Sequence, residues 1–394
     1  MNLKKPPARK SRDSLIPISL DRFGTALGGS EEVMNRYPQV EVDLAKLRHN
    51  IEEIVKKCES RGIEIAGVIK GFSGIPEASL QYEPAGCSLL ASSRLEQLRA
   101  AREAGCRLPF LLIRLPMLSE IQEAVELTDI SLNSELSVLE ALDQEAGRQG
   151  KMHGIILMAD LGDLREGFWD KEELIGTAVK VEREFKNLTL EGVGTNLGCY
   201  GSVEATPEKL QELVDIAEII RGKIGRKLRY VSGGATTSLP RIFEDNMPEG
   251  INMLRVGEGI ILAKDLRDLW GYDMSFMYQD AFTLKAEVIE VKDKPSFPQG
   301  KIMFDAFGNT PEYVDRGVRK RALLAIGKVD YAFPESIFPR MKGVEVLGAS
   351  SDHTILDVED AEREIKVGDT MEFDLCYATI VFVTNSQNVR IVCK

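Results

Sequence analysis

Three observations predict a (β/α)8 barrel followed by a mostly antiparallel β domain. Between about residues 62 and 260, short apolar runs alternate with amphipathic segments rich in Glu, Lys and Arg, the pattern of parallel strands joined by helices. Eight such runs fit into that stretch, the number a closed barrel needs. Beyond about residue 277 helix-length segments give way to alternating β-type runs separated by turns.

The first thirty-six residues stand apart. Lys4, Lys5, Arg9, Lys10 and Arg12 precede a mixed stretch ending Gly28-Gly29-Ser30, and Pro17 and Ser19 interrupt the only apolar run, so a secretory signal is not indicated. The stretch reads as a flexible or partner-packing extension, with an organellar presequence as the alternative. The early run Val40 to Leu44 is a candidate strand for pairing with the C-terminal domain.

The barrel strands are expected at Glu64 to Lys70, Ser88 to Ser92, Pro109 to Leu115, Ile130 to Asn133, Gly154 to Asp160, Leu190 to Asn196, Leu228 to Ser232 and Ile251 to Val256. Between them, Ser93 to Ala104, Ser134 to Gln149, Lys171 to Phe185 and Thr206 to Gly222 have helical character, several opened by a residue able to cap the first turn. Many strands end in a polar or charged residue: Lys70, Ser92, Arg114, Asn133, Asp160, Asn196, Ser232 and Arg255. In a barrel those ends converge on one mouth, whereas in an open doubly wound sheet, the structural alternative, they would not. The β domain is expected to use Ala281 to Val291, Lys301 to Phe307, Ala322 to Ile326, Gly343 to Gly348, His353 to Val358 and Thr370 to Leu375. The resulting plan is an extension over 1–36, a barrel over 37–270 and a β domain over 271–394.

A net charge of −12, from 62 acidic against 50 basic side chains, argues against a nucleic-acid partner. The apolar runs are strand-length, far short of the roughly 20 residues of a membrane helix. Six scattered cysteines form no CxxC pair or regular framework and read as reduced thiols of a cytoplasmic protein.

Lys70 closes Ala66-Gly67-Val68-Ile69 and precedes Gly71-Phe72-Ser73-Gly74, so its amine is placed at a partly dehydrated mouth. Burial frees a lysine amine as a nucleophile, although a lysine at a strand end is more often salt-bridged. The charged loop Asp160 to Gly167 leaves the fifth strand, Thr195-Asn196 ends the sixth, Ser232-Gly233-Gly234-Ala235-Thr236-Thr237 follows the seventh, and Arg255-Val256-Gly257-Glu258 ends the eighth. Glycines and hydroxyls before a helix can cradle a phosphate, though a single such turn is usually structural.

The segments GVIKGFSG, LASSRLE, MADLGDLREGF, GVGTNLGCYG, LRVGEGIIL, DAFGN, DRGVRKRALLAIG and GASSDHTILDV occur in this order. Together they resemble the alanine racemase-like family, fold type III of the pyridoxal-phosphate enzymes, and within it the branch acting on a basic amino acid such as ornithine. The resemblance runs from about Tyr37 to the C-terminus. It implies a racemase that binds pyridoxal 5′-phosphate, with Lys70 holding the cofactor as a Schiff base. It places Arg165 near the lysine and the ring's phenolic oxygen, and Arg255 at the pyridine nitrogen. The phosphate falls to Thr236 and Thr237 with the backbone of Gly234, Gly257 and Glu258, and Asn196, Ser232 and Tyr377 complete the cofactor site. Ser351, Asp352 and His353 fall in a loop that reaches a neighbouring barrel, because family members pair head to tail as homodimers.

Inverting a stereocentre needs a proton acceptor on one face and a donor on the other. Lys70 serves one face. Alanine racemases supply a partner's tyrosine for the other, and the matching segment here is Phe304-Asp305-Ala306-Phe307-Gly308, without a phenol. Either Asp305 or Phe307 takes that place. Asp305 can titrate and is the preferred second base, while its plainer reading is a strand-end carboxylate paired with an arginine such as Arg319. Asn196 stands where alanine racemases carry a histidine. For a basic substrate's far end, Asp163, Glu166, Glu258 and Asp352 are unranked carboxylates, and alanine, serine or lysine remains open as the substrate.

Two other functions compete. A basic amino-acid decarboxylase of the same fold would show a three-glycine phosphate loop and an acid soon after a β-domain cysteine, but here Gly233-Gly234 is followed by Ala235 and Cys376 by Tyr377-Ala378-Thr379. A pyridoxal-phosphate carrier or regulator without racemase activity would lack the second domain.

Overall fold

A computed structural model describes residues 36–394. The expected extension therefore lies, apart from Arg36, outside the described residues.

After β1 (Gln39–Val42) and the helix Leu44–Glu59, eight parallel strands close into a barrel. They are β2 (Glu64–Val68), β3 (Leu89–Ser92), β4 (Phe110–Leu112), β5 (Ile130–Asn133), β6 (His153–Ala159), β7 (Leu188–Thr195), β8 (Tyr230–Ser232) and β9 (Met253–Val256), with β9 returning to pair with β2. All eight expected runs are strands, shifted by a few residues at their ends. Strands buried on both faces read as continuous apolar runs, which is why they were legible. Ala66, Val68, Leu89, Leu111, Leu132, Ile156, Met158, Tyr230 and Met253 fill the barrel interior. The helices lay apolar stripes on its outside: Leu210, Leu213, Val214, Ala217 and Ile220 of the helix Pro207–Ile224 recur at helical spacing and are buried. That helix is capped by Thr206, which accepts the Lys209 N–H, and ends at Gly225 in the left-handed region.

The second domain is a sheet ordered β12-β15-β10-β11-β14-β13. Its strands are β10 (Phe282–Pro295), β11 (Val318–Leu324), β12 (Ile337–Pro339), β13 (Glu345–Ala349), β14 (Thr354–Asp357), β15 (Thr370–Leu375) and β16 (Arg390–Cys393). These pairings are antiparallel, and β1 joins them, antiparallel to β10 and parallel to β16. The early run thus belongs to the C-terminal sheet.

One segment differs from expectation, and a helix stands where no element was expected. Lys301 to Phe307 forms no strand: Asp305 accepts the N–H groups of Phe307 and Asn309 at 2.9 and 2.8 Å and folds the segment into a turn. The apolar Tyr377–Val383 is a helix, opened by the Thr379 hydroxyl accepting the Cys376 N–H at 3.1 Å, with Thr379, Ile380 and Val383 buried on one side. Among the described residues, no helix is long and apolar enough to cross a membrane.

Candidate active site

The strand containing the motif lysine stops earlier than its sequence suggests. β2 ends at Val68, and Lys70 opens a 3-10 turn, Lys70–Phe72, that passes under the β domain. Gly71 makes this possible, since a Cβ there would stand 2.8 Å from Ile261 Cδ1 and 3.2 Å from the Tyr377 ring. Backbone and aromatic ring are thereby brought together at the C-terminal mouth of the barrel.

A cavity of about 790 Å³ occupies that mouth. Its wall includes Lys70, Arg165, Asn196, Thr236, Thr237, Arg255, Gly257, Glu258 and Tyr377, side chains from strand ends β2, β6, β7, β8 and β9 and from the β-domain helix. Burial holds the Lys70 ammonium below its usual range; Arg165 and Arg255 push the same way, against the opposing influence of Cys199 and Glu166. A lysine so placed gives up its proton more readily than a solvated one.

Arg255 is 4% exposed, and donates from Nη1 to the Ser232 hydroxyl and from Nη2 to the Thr195 carbonyl, the latter at 2.8 Å. Burial pulls it down to about 10, so it is still a cation at neutral pH. Ser232 thus reaches the site by orienting Arg255. Arg165 is exposed and pairs with its neighbour Glu166, Nη2 to Oε1 at 2.6 Å.

The residues expected to cradle a phosphate, Thr236, Thr237, Gly257 and Glu258, line the same cavity. The Thr236 hydroxyl accepts the Gly259 N–H at 3.0 Å and keeps its own proton to donate, whereas Thr237 commits its proton to the Leu197 carbonyl at 2.7 Å. Gly234, with φ of +113°, lets the turn after β8 pass within reach of Ser238. Tyr377 is half-buried, and burial raises its phenol above the usual range. Asn196 is the informative member: it is 7% exposed, and its Nδ2 has no partner among the described residues. A buried donor without an acceptor is costly, and it faces a cavity whose cationic wall calls for an anionic, acceptor-rich occupant. These residues fit pyridoxal 5′-phosphate.

Four carboxylates were unranked for the substrate's far end, and the structure separates them. Asp163 is buried and accepts the N–H groups of Gly198, Cys199, Tyr200 and Val203 at 2.9 to 3.4 Å, so it shapes the loop after β7. Glu166 is occupied by Arg165. Glu258 is 7% exposed, and its Oε2 has no partner among the described residues. Asp352 lies in the β domain, outside the cavity wall.

Asp305, Ser351, Asp352 and His353 form no part of the Lys70 cavity wall within one chain. Asp305 instead lines a second cavity of about 700 Å³ on the β domain, with Phe307 and Lys328. Lys328 N donates to the Ser350 carbonyl at 2.9 Å, and Val329 N to that of Ser351 at 3.1 Å. Gly327 is packed so closely that a Cβ would lie 2.2 Å from the Ser351 carbonyl. The Asp305 turn and the Ser351 loop are therefore held on one patch. Arg319 is not the partner of Asp305; it pairs with Asp357 and Asp360 at 2.9 and 2.6 Å.

Sequence reasoning missed Cys199, Arg114, Asp265, Leu269 and Trp270 in the cavity wall. Arg114 was visible as a charged strand end. Asp265, Leu269 and Trp270 belong to the run after β9 that was read only as the end of the barrel.

The family model described as the alanine racemase N-terminal domain matches residues 42–265. An ornithine racemase from Acetoanaerobium sticklandii is 40% identical, over 88% of this chain and 96% of its own. A lysine racemase from Thermotoga maritima is 39% identical, over 90% and 98%. The crystal structure of an alanine racemase from Streptomyces lavendulae superimposes with a TM-score of 0.71 at 19% identity, covering 91% of this chain and 98% of that one. The last likeness concerns the fold.

Proposed function

The chain belongs to the alanine racemase family, and from that premise we propose that it is a pyridoxal 5′-phosphate-dependent racemase of a free basic amino acid, ornithine foremost. The observation that supports this most directly is the half-buried Lys70 sharing one cavity with Arg165, Arg255 and the unpartnered Asn196.

When bound, the cofactor draws electrons from the α-carbon of an amino acid joined to it and makes the α-proton removable. The residues do the rest. Lys70 holds the cofactor and, once released, carries a proton to or from one face of the α-carbon, a role suited to an amine that burial has made less basic. Arg255, a cation fixed by Ser232 and Thr195, is the residue that would face the ring nitrogen, and it has no readily transferable proton to give it. That limits electron withdrawal by the ring and disfavours side reactions such as transamination. Asn196 would donate to the ring substituents, and Thr236 with the backbone at Gly257 and Glu258 would hold the phosphate.

The opposite face needs a second proton carrier. We place it in the Asp305 patch of a second copy, paired head to tail so that each β domain covers the other's barrel mouth. Asp305 carries the proton there, with Ser351, Asp352 and His353 on the same patch facing substrate. Compartment follows the same reading: a cytoplasmic enzyme whose buried cysteines stay reduced.

The test is incubation with single L-amino acids in deuterated water, following optical rotation and loss of the α-proton signal. Racemisation of ornithine with solvent exchange supports the reading. Carbon dioxide release, or no exchange from any basic amino acid, overturns it.

A further inference from the structure

The carboxyl of Glu258, whose backbone alone the reading above assigns to the phosphate, lines the cavity without a part in the reaction. Glu258 opens the short helix Glu258–Ile261 and turns its side chain toward the next one, Lys264–Asp268, where Oε1 accepts the N–H groups of Lys264 and Asp265 at 2.8 and 3.2 Å. Its Oε2 is buried and has no partner among the described residues. Asp265 lines the same wall, followed by Leu269 and Trp270 at the lip. Lys70, Arg165 and Arg255 make up the basic pole of the same cavity.

An unpaired buried carboxylate oxygen beside a second carboxyl is by itself an unfavourable arrangement. Burial and then the charge on Asp265 push the Glu258 carboxyl up to about 7. A cation at this spot would remove both penalties, and a bound anion would add to them. The other carboxylates near the cavity do not offer this: Asp163 is saturated by backbone N–H groups and Glu166 is held by Arg165.

Resting on the racemase reading, we propose that Glu258, with Asp265 beside it, receives the terminal ammonium of a basic amino-acid substrate, while Leu269 and Trp270 cover its methylene chain. The cavity is then a two-ended gauge. The basic pole takes the reacting end of the substrate with its cofactor, and the acidic pole selects side chains carrying a distal positive charge.

The test compares ornithine with norvaline, which has the same carbon chain and no terminal amine, using the holoenzyme. Wild type is expected to favour ornithine on kcat/KM by a hundredfold or more. Glu258→Gln keeps an acceptor for the two backbone N–H groups and should lower the ornithine-to-norvaline ratio at least tenfold, mainly through the KM for ornithine. Asp265→Asn should lower it about threefold and carries the test alone if the first variant does not fold. A ratio unchanged in whichever variant folds overturns the proposal, as does a wild type that racemises both substrates equally. An intact ratio together with altered affinity for inorganic phosphate would place the Glu258 carboxyl at the anion end and also overturn it. Exchange from neither substrate would instead sink the racemase reading itself.

Discussion

Lys328 Nζ stands 3.8 Å from Asp305 Oδ2 and 4.3 Å above the centre of the Phe307 ring, on a patch of the β domain that lines a different cavity from Lys70. The Asp305 carboxyl is held below its usual range by the Asn309 N–H first, then by Phe307, the Asn309 side chain and Lys328, so it is presented as an anion.

If that anion carries the proton on the face opposite Lys70, Asp305→Asn should separate the two enantiomers. The one whose α-proton faces Lys70 keeps exchanging with solvent while retaining its configuration. The other should lose exchange by a hundredfold or more, a range typical of a lost general base. Proton NMR in deuterated water measures both, and equal losses from the two enantiomers would remove Asp305 from the role.

Lys70→Ala should give a colourless protein after reconstitution and dialysis, because no other lysine among the described residues lines the cavity. Absorbance in the visible region and mass after borohydride reduction read this directly. A retained yellow band with the cofactor's mass on another residue would contradict the assignment.

Asp163→Asn should destabilise the fold by about 2 kcal/mol, since buried carboxylate oxygens now satisfy four backbone N–H groups and an amide nitrogen would oppose some of them. Urea titration gives the stability. Faster alkylation of the exposed Cys199, which sits in the loop so held, is the local signature. A change under about 0.5 kcal/mol would return Asp163 to the list of substrate-facing groups.

Glu258 makes stability and selectivity oppose each other. Its folded pKa of about 7 lies above the usual 4.5, so between those values the native state binds more protons than the unfolded chain and stability falls as pH rises. The loss by pH 8 is on the order of 3 kcal/mol. Glu258→Gln should therefore melt higher than wild type at pH 8 without substrate, and no higher at pH 4. A variant that melts lower at both would show the carboxyl to be a net stabiliser.

His153 acts in the opposite sense. It is 1% exposed beneath the barrel, its Nε2 lies 2.9 Å from Ser131 Oγ, and burial lowers it to about 4 from 6.5. The unfolded chain binds the proton first, so the group's contribution is complete above pH 6.5 and is lost progressively as pH falls to 4, on the order of 3 kcal/mol in all. His153→Asn should flatten this acid limb in thermal melts between pH 7 and 4. An unchanged limb would assign the acid sensitivity elsewhere.

The parts of this molecule that could be read in the sequence are those where one physical demand dominates. Parallel barrel strands must be apolar on both faces, so all eight were visible, and Lys70 stood out because a charge closes one of them. Where local pattern and tertiary context disagree, the pattern misleads. Tyr377–Val383 is rich in β-branched residues yet is a helix, because Thr379 caps it and its apolar side packs inward. Asp163 and Glu258 look alike in sequence as loop carboxylates. Only the count of N–H groups around each shows that the first is saturated and the second is not.

The place of β1 between β10 and β16 has a consequence for how the molecule is made. The strand at residues 39–42 emerges from the ribosome some 350 residues before its parallel neighbour at 390–393. Through most of synthesis it is an unmatched edge, a template for wrong pairing. The barrel can close on itself beforehand, since β2 and β9 meet without it. The final strand then acts as a latch, and anything that delays or removes residues 390–393 leaves a nascent protein with a finished barrel and an open seam.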